Sequence, residues 1–169
     1  MSKRVSAFFR DAEYYRVVGS QHDAIDIAVA QGTDIIAPAA GYVYYLLPPS
    51  PGGYSYMAVK HKDGYMTVYG HLSEVAVSLG QFVTSGQLIA KSGGAVGTPG
   101  AGPMTSGPHL HFELWQNKEV VDPLRSMTVA DLDYADLPTR YQDKFISDII
   151  EKSGTGVDTS AYQRKFVIK

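Results

Sequence analysis

The amino-acid sequence predicts a mainly β domain of antiparallel strands, extended at its C-terminus by a helical appendage. The chain has 169 residues, which suits one domain plus an extension better than two domains of ordinary size. Its 17 glycines and 9 prolines are scattered among short β-branched and aromatic runs, a pattern typical of all-β domains. After residue 127 this pattern gives way to a helical period. We therefore expect a β domain over residues 1–127 and an extension over residues 128–169.

Eight segments of the β domain are short apolar or alternating runs bounded by turn residues, and we predict each to be a strand. They are Ala24–Ala30, Asp34–Ala37, Gly41–Leu47, Tyr56–His61, Met66–His71, Phe82–Val83, Leu88–Ser92 and Leu110–Gln116. The segment Lys62-Asp63-Gly64 predicts a hairpin turn, because glycine accepts positive φ freely. The segment Gly93–Pro108 contains six glycines and no useful periodicity, which is typical of a binding loop or a disordered one.

The extension contains one predicted amphipathic helix over residues 139–152. Tyr141, Phe145 and Ile149 recur at intervals of four, which places them on one helical face. Two interpretations stay open: a helix docked on the β domain, which we favour, and a helix that contacts another chain or domain. The segment Phe166–Lys169 ends as if in mid-element, so we expect a longer native chain with further domains.

Composition excludes several classes of protein. The chain has no cysteine, so any bound metal must use His, Asp or Glu. The 15 Lys and Arg against 17 Asp and Glu give a net charge of -2 without a basic block, so we expect no nucleic-acid partner. No run reaches the length of a transmembrane helix, and residues 1–10 lack the continuous apolar stretch of a signal peptide.

Four of the five histidines lie in patterns that point to chemistry. On a strand, His22 and Asp26 project from the face opposite Ile25 and Ile27, so an imidazole and a carboxylate converge. A surface His–Asp pair would give the same local pattern.

The second pattern is clearer. In residues 109–114, Leu110 and Phe112 face one way while His109, His111 and Glu113 face the other. In the third pattern, Tyr69 and His71 are expected to share a face. We interpret the fifth histidine, His61, as a structural strand residue.

These groups suit a catalytic zinc site, which uses three protein ligands and keeps one position open for water. Five candidate groups, one Asp and four His, exceed the three ligands required, so the surplus histidines are available as acid or base. The spacing alone does not assign the individual roles.

The same residues carry a family resemblance. The order His22-x-x-x-Asp26, Tyr69-x-His71-Leu72 and Gly107-Pro108-His109-Leu110-His111-Phe112-Glu113 resembles the lysostaphin/LytM family of zinc metallopeptidases. The likeness runs from about Phe9 to Pro123 and implies a sandwich-like β domain of the duplicated hybrid motif fold. One departure is Ala24, where the family usually has Gly, and this puts the local turn in doubt.

The resemblance implies a function and a division of roles. His22, Asp26 and His111 would bind Zn²⁺, and His71 and His109 would be the catalytic histidines. The substrate would be the peptide cross-links of bacterial peptidoglycan, which places the protein in the cell envelope, either periplasmic or extracellular. For Glu113, a group that holds a histidine and an ordinary surface carboxylate both stay open.

Further residues are expected around a substrate groove. Gly93–Pro108 leads into the strand of His111 and is expected to form one wall. Tyr14, Tyr15 and Arg16 precede the first implied ligand, and we expect them to be able to reach the site. For the tyrosines at positions 44, 45, 54, 56 and 65 we favour ordinary sheet packing.

Two alternatives to an active peptidase remain from the sequence. One is a catalytically inactive module of the same fold that acts as an activator or cell-wall binding partner. The other is a phosphocarrier domain, because Gly80–Ala90 resembles the hairpins of carrier proteins. The presence of His22, Asp26, His71, His109 and His111 together favours the enzyme.

Overall fold

The computed structural model describes residues 4–127 and Arg140. Eleven strands and two short helices make up this part of the chain. The strands are β1 (Arg4–Ala7), β2 (Ile25–Ala28), β3 (Asp34–Ile36), β4 (Gly41–Leu47), β5 (Tyr56–His61), β6 (Tyr65–Gly70), β7 (Leu72–Val75), β8 (Phe82–Val83), β9 (Leu88–Ser92), β10 (Leu110–Gln116) and β11 (Glu119–Val121). The helices are α1 (Ala12–Val18) and α2 (Pro123–Ser126).

The strands form two antiparallel sheets. The main sheet runs in the order β1-β2-β10-β6-β5-β4-β8, with β11 paired to β10. The small sheet runs in the order β3-β9-β7. Buried side chains from both sheets, among them Ile35, Ile89 and Phe112, form one hydrophobic cluster. This mainly β, antiparallel and sandwich-like architecture confirms the predicted fold class.

Alternation along the main sheet separates a core face from an outer face. On β10, Leu110, Phe112 and Leu114 are buried, while His111 and Glu113 between them are partly exposed. On β2, Ile25 and Ile27 enter the core and Asp26 lies on the outer face. The polar groups singled out in the sequence therefore share the outer face.

All eight predicted strands are confirmed, five of them with the predicted bounds. The strands β1, β7 and β11 and both helices were not predicted. Helix α1 has only seven residues and buries none of them, so it leaves no apolar period in the sequence. Asp11 accepts a hydrogen bond from the Glu13 N–H at its start, and Gly19 ends it at φ 79°.

The prediction that Tyr69 and His71 share a face is wrong. Tyr69 is fully buried and packs against Phe112, with ring centroids 5.5 Å apart. His71 lies between β6 and β7 in the left-handed region, at φ 56°. This single residue interrupts the alternation, so the Tyr69 ring enters the core while the His71 ring lines the outer cavity.

Two sequence predictions fall beyond what the structure describes. The amphipathic helix over residues 139–152 lies outside the described residues, and the domain division after residue 127 stays a prediction. Among residues 4–127 and Arg140, no helix is long and apolar enough to cross a membrane.

Candidate metal centre

Three of the predicted residues, His22, Asp26 and His111, meet at one point on the outer face. One potential ligand atom from each lies within 4.8 Å of the other two. The strands β2 and β10 are neighbours in the main sheet, and their register sets Asp26 directly opposite His111. His22 lies in the segment before β2 rather than on the strand, and its Nε2 is 3.2 Å from Asp26 Oδ1.

The ring of His22 is held from two sides. Its Nδ1 is 3.2 Å from the carbonyl oxygen of Phe8, and because a carbonyl only accepts, Nδ1 carries the proton. Tyr14 stacks on the ring at a centroid distance of 4.2 Å. Nε2 is therefore the nitrogen directed at Asp26, as a metal-binding imidazole requires.

The ring of His111 is also held through both nitrogens. Nδ1 is 3.1 Å from Asp26 Oδ1, and Nε2 is 3.2 Å from Glu113 Oε1. The Trp115 indole N–H donates to the other carboxylate oxygen of Glu113 at 2.7 Å. Glu113 thus orients His111, which matches the first of the two interpretations left open for it.

The charges around Asp26 keep its carboxyl group ionised. Burial alone would raise the pKa of Asp26, but its interactions with His111 and His22 hold it well below its usual range. Burial would likewise lower the pKa of His111, yet hydrogen bonds to Asp26 and Glu113 raise it to about 9.

This donor set fits a divalent cation. Two imidazole nitrogens and one carboxylate oxygen are ligands typical of a catalytic zinc site with three protein ligands. The ring nitrogens that do not face Asp26 are bonded elsewhere: Nδ1 of His22 to the Phe8 carbonyl and Nε2 of His111 to Glu113. Metal-binding histidines usually bond through the second ring nitrogen in this way. The residues that can hold a metal are therefore His22, Asp26 and His111.

His71 and His109 lie beside this centre, with ring centroids 4.3 Å apart. The Nδ1 atoms bond to backbone carbonyls, that of His71 to Ala101 at 2.8 Å and that of His109 to Gly107 at 2.7 Å. His109 Nε2 is 3.8 Å from Asp26 Oδ2. Burial, with a further contribution from His109, lowers the pKa of His71 to about 4, so its Nε2 is an unprotonated acceptor at neutral pH.

The fifth histidine takes no part in this cluster. His61 bonds to the Ala40 carbonyl through Nδ1 and to Thr67 Oγ1 through Nε2. This agrees with its interpretation as a structural residue.

An open groove of about 660 Å³ passes over the centre. Residues 103–108 line it, so the expected role of Gly93–Pro108 as a groove wall is confirmed for its last six residues only. Glu13, Tyr14 and Val17 of α1 also line the groove, so the expected reach is confirmed for Tyr14, while Tyr15 and Arg16 are not among the lining residues. An extended chain laid in this groove would pass over Asp26, His109 and His111.

Sequence reasoning missed Tyr54, which it assigned to sheet packing. The Tyr54 ring stands edge-on to His71, with centroids 4.8 Å apart. The signal was Gly70, a glycine inside a strand, which often marks a close approach. A Cβ atom at Gly70 would lie 1.9 Å from the Tyr54 hydroxyl oxygen and 3.1 Å from the Cβ of His111.

Fold and site together define a mainly β, antiparallel domain with a candidate metal centre. Residues 20–123 match Peptidase family M23, and the chain belongs to this family. The family resemblance found in the sequence is thereby confirmed.

The relatives agree with this assignment. The chain is 38% identical over 123 residues to an uncharacterized metalloprotease of Haemophilus influenzae, covering 72% of this chain and 24% of that protein. It is 38% identical over 93 residues to the peptidoglycan DD-endopeptidase ShyA of Vibrio cholerae, covering 55% of this chain and 20% of ShyA. The crystal structure of a zinc containing peptidase from Vibrio cholerae matches with a TM-score of 0.58 at 30% identity, covering 70% of this chain and 35% of that one. The chain thus spans only about a quarter of the first relative's length and a fifth of ShyA.

Replacement of Gly70 tests the close approach of Tyr54. We expect Gly70→Ala to lower the free energy of unfolding by about 1–3 kcal/mol, the usual cost of overpacking. In the Tyr54→Ala background the same change should cost much less, because the clashing ring is gone. Denaturant unfolding of the four proteins of this double-mutant cycle measures the coupling. Strictly additive changes in the free energy of unfolding would contradict the contact between Tyr54 and Gly70.

Proposed function

We propose that this chain is a zinc-dependent endopeptidase that hydrolyses peptide cross-links of bacterial peptidoglycan. The observation that supports it best is the convergence of His22, Asp26 and His111 beside two further imidazoles in an open groove. In this proposal those three residues hold Zn²⁺, and His71 and His109 are the catalytic histidines. The relatives' peptidase and endopeptidase names support the same reaction class.

The bound ion supplies Lewis-acid polarisation of the scissile carbonyl and lowers the pKa of a bound water toward neutrality. Contacts within the chain preorient the ligand side chains for the ion. Phe8 and Glu113 fix the rings of His22 and His111, so little reorganisation accompanies binding.

The two flanking histidines move the proton. Their Nδ1 atoms are anchored on the carbonyls of Ala101 and Gly107, which leaves both Nε2 atoms as the proton-accepting positions. One accepts a proton from the attacking water and passes it to the leaving amine. The other donates, once protonated, to the oxyanion of the tetrahedral intermediate.

The groove and the family support the substrate and the location. An open groove accommodates an extended peptide, and ShyA is named as a peptidoglycan DD-endopeptidase. We therefore place this chain's activity in the bacterial cell envelope. The alternative is an inactive module that activates or anchors a partner, and a digestion assay on purified sacculi separates the two. Membership of Peptidase family M23 argues against the phosphocarrier alternative.

Removal of a ligand should remove the metal. His111→Ala deletes one of three protein ligands, so we expect zinc content to fall from one equivalent to a small fraction, measured by elemental analysis after dialysis. His61→Ala, which alters a histidine outside the cluster, is the matched control and should retain zinc. Stoichiometric zinc in His111→Ala would refute the ligand assignment.

Removal of a flanking histidine should spare the metal. In His109→Ala we expect unchanged zinc content and turnover reduced by about 10²–10⁴, the range of general acid–base catalysis. Mass spectrometry of the products released from sacculi measures the turnover. Near-normal turnover would exclude a catalytic role for His109. If the unmodified chain binds zinc but releases no product from sacculi, that result would support the inactive-module alternative.

A further inference from the structure

The outer face of the main sheet carries a second cavity beside the metal centre, with a volume of about 370 Å³. We call it the tyrosine trough. Its defining side chains are Tyr44, Tyr45, Tyr54, Tyr56, Glu113 and Trp115. The volume falls within the range of about 300–1,000 Å³ that is usual for small-molecule sites.

A β-bulge builds the outer rim of the trough. Val43 lies opposite Val59 on β5, but Tyr45 lies opposite Ala58, so Tyr44 is an extra residue in β4. The bulge lets two consecutive tyrosines reach the outer face instead of one entering the core. Both rings are about half exposed, at 52% for Tyr44 and 43% for Tyr45. Bulges often re-aim side chains in this way beside functional sites.

The aromatic rings form a continuous row that leads to the metal centre. Tyr45 stacks on Tyr56 at a centroid distance of 4.9 Å, and Tyr56 stacks on Tyr54 at 5.7 Å. Tyr54 in turn contacts His71 at 4.8 Å. At the other side, Glu113 belongs both to the trough and to the hydrogen-bond chain that orients His111. A ligand in the trough therefore touches residues that also support the proposed catalytic groups.

The chemistry of the lining selects a flat, largely neutral ligand with hydroxyl groups. Exposed phenol rings offer apolar faces with polar tips, the combination that binds amphipathic ligands. The only carboxylate in the lining is Glu113, which can accept a hydroxyl or amide hydrogen. The cation Lys60 is already seated over the Tyr44 ring, with its Nζ 3.3 Å from the ring centroid. A strongly charged ligand finds no matching cluster here.

We propose that the tyrosine trough binds an N-acetylhexosamine ring of the glycan strand that carries the cross-link. This inference rests on the proposed function, because the peptide in the groove is covalently attached to that glycan. A C–H face of the sugar packs on the exposed part of Tyr45, and its hydroxyl and amide groups bond to the phenols and Glu113. Binding a remote, unreacting part of the substrate next to the centre helps to position the scissile bond.

The test uses a glycan without peptide as the probe, a β-1,4-linked tetramer of N-acetylglucosamine. We expect measurable binding by isothermal titration calorimetry to the unmodified chain, and about tenfold weaker binding to Tyr45→Ala, equal to about 1.4 kcal/mol. Phe82→Ala is the matched control, because Phe82 is an exposed aromatic residue outside the trough, 65% exposed. Equal affinity of Tyr45→Ala and the unmodified chain, or no binding to either, would overturn the proposal.

A second experiment distinguishes a sugar from a peptide as the ligand of the tyrosine trough. Cross-linked peptides are offered with the glycan attached and after its enzymatic removal. We expect Tyr45→Ala to raise KM several-fold for the glycan-bearing substrate only, with kcat little changed. An equal rise for the glycan-free peptide would show that the trough holds peptide, and would overturn the proposal. If neither substrate is cleaved by any variant, the proposed hydrolysis fails, while the tetramer titration still decides the trough.

Discussion

The contact on which the site depends is the pairing of Asp26 with His22 and His111. Asp26 Oδ1 lies 3.2 Å from His22 Nε2 and 3.1 Å from His111 Nδ1. It exists because β2 and β10, far apart in the chain, are neighbours in the main sheet with Asp26 opposite His111. The buried alternation of Ile25, Ile27, Leu110 and Phe112 fixes that register, since a slip of one residue would reverse every side chain. Core packing therefore determines the spacing of the polar groups.

Two local irregularities direct side chains to the outer face where a regular strand would not. The left-handed backbone at His71 turns its imidazole to the outer cavity directly after the buried Tyr69. The bulge in β4 brings Tyr44 and Tyr45 out together on the same face. Such conformations persist where the surrounding structure holds them in place. Both irregularities place side chains on the outer face, an imidazole beside the candidate metal centre and two tyrosines at the rim of the neighbouring trough.

The sequence predicted the parts of the molecule that local pattern controls. The alternation in β10 gave the core positions of Leu110 and Phe112 and the outer positions of His111 and Glu113. It could not reveal that Asp26 meets His111, because that register involves residues 85 apart, and only the family resemblance supplied it. Helix α1 was missed because it buries no residue. Tyr54 was missed because its approach to His71 depends on the space above Gly70, which no local period reports.

In the proposed function, three side chains from two distant segments of the chain hold one metal ion. Anomalous diffraction at the zinc edge, from crystals grown with one equivalent of zinc, tests it most directly. We expect one strong peak about 2.0–2.2 Å from His22 Nε2, an Asp26 carboxylate oxygen and His111 Nδ1. A peak coordinated by other residues, or none at this position with full zinc present, would contradict it.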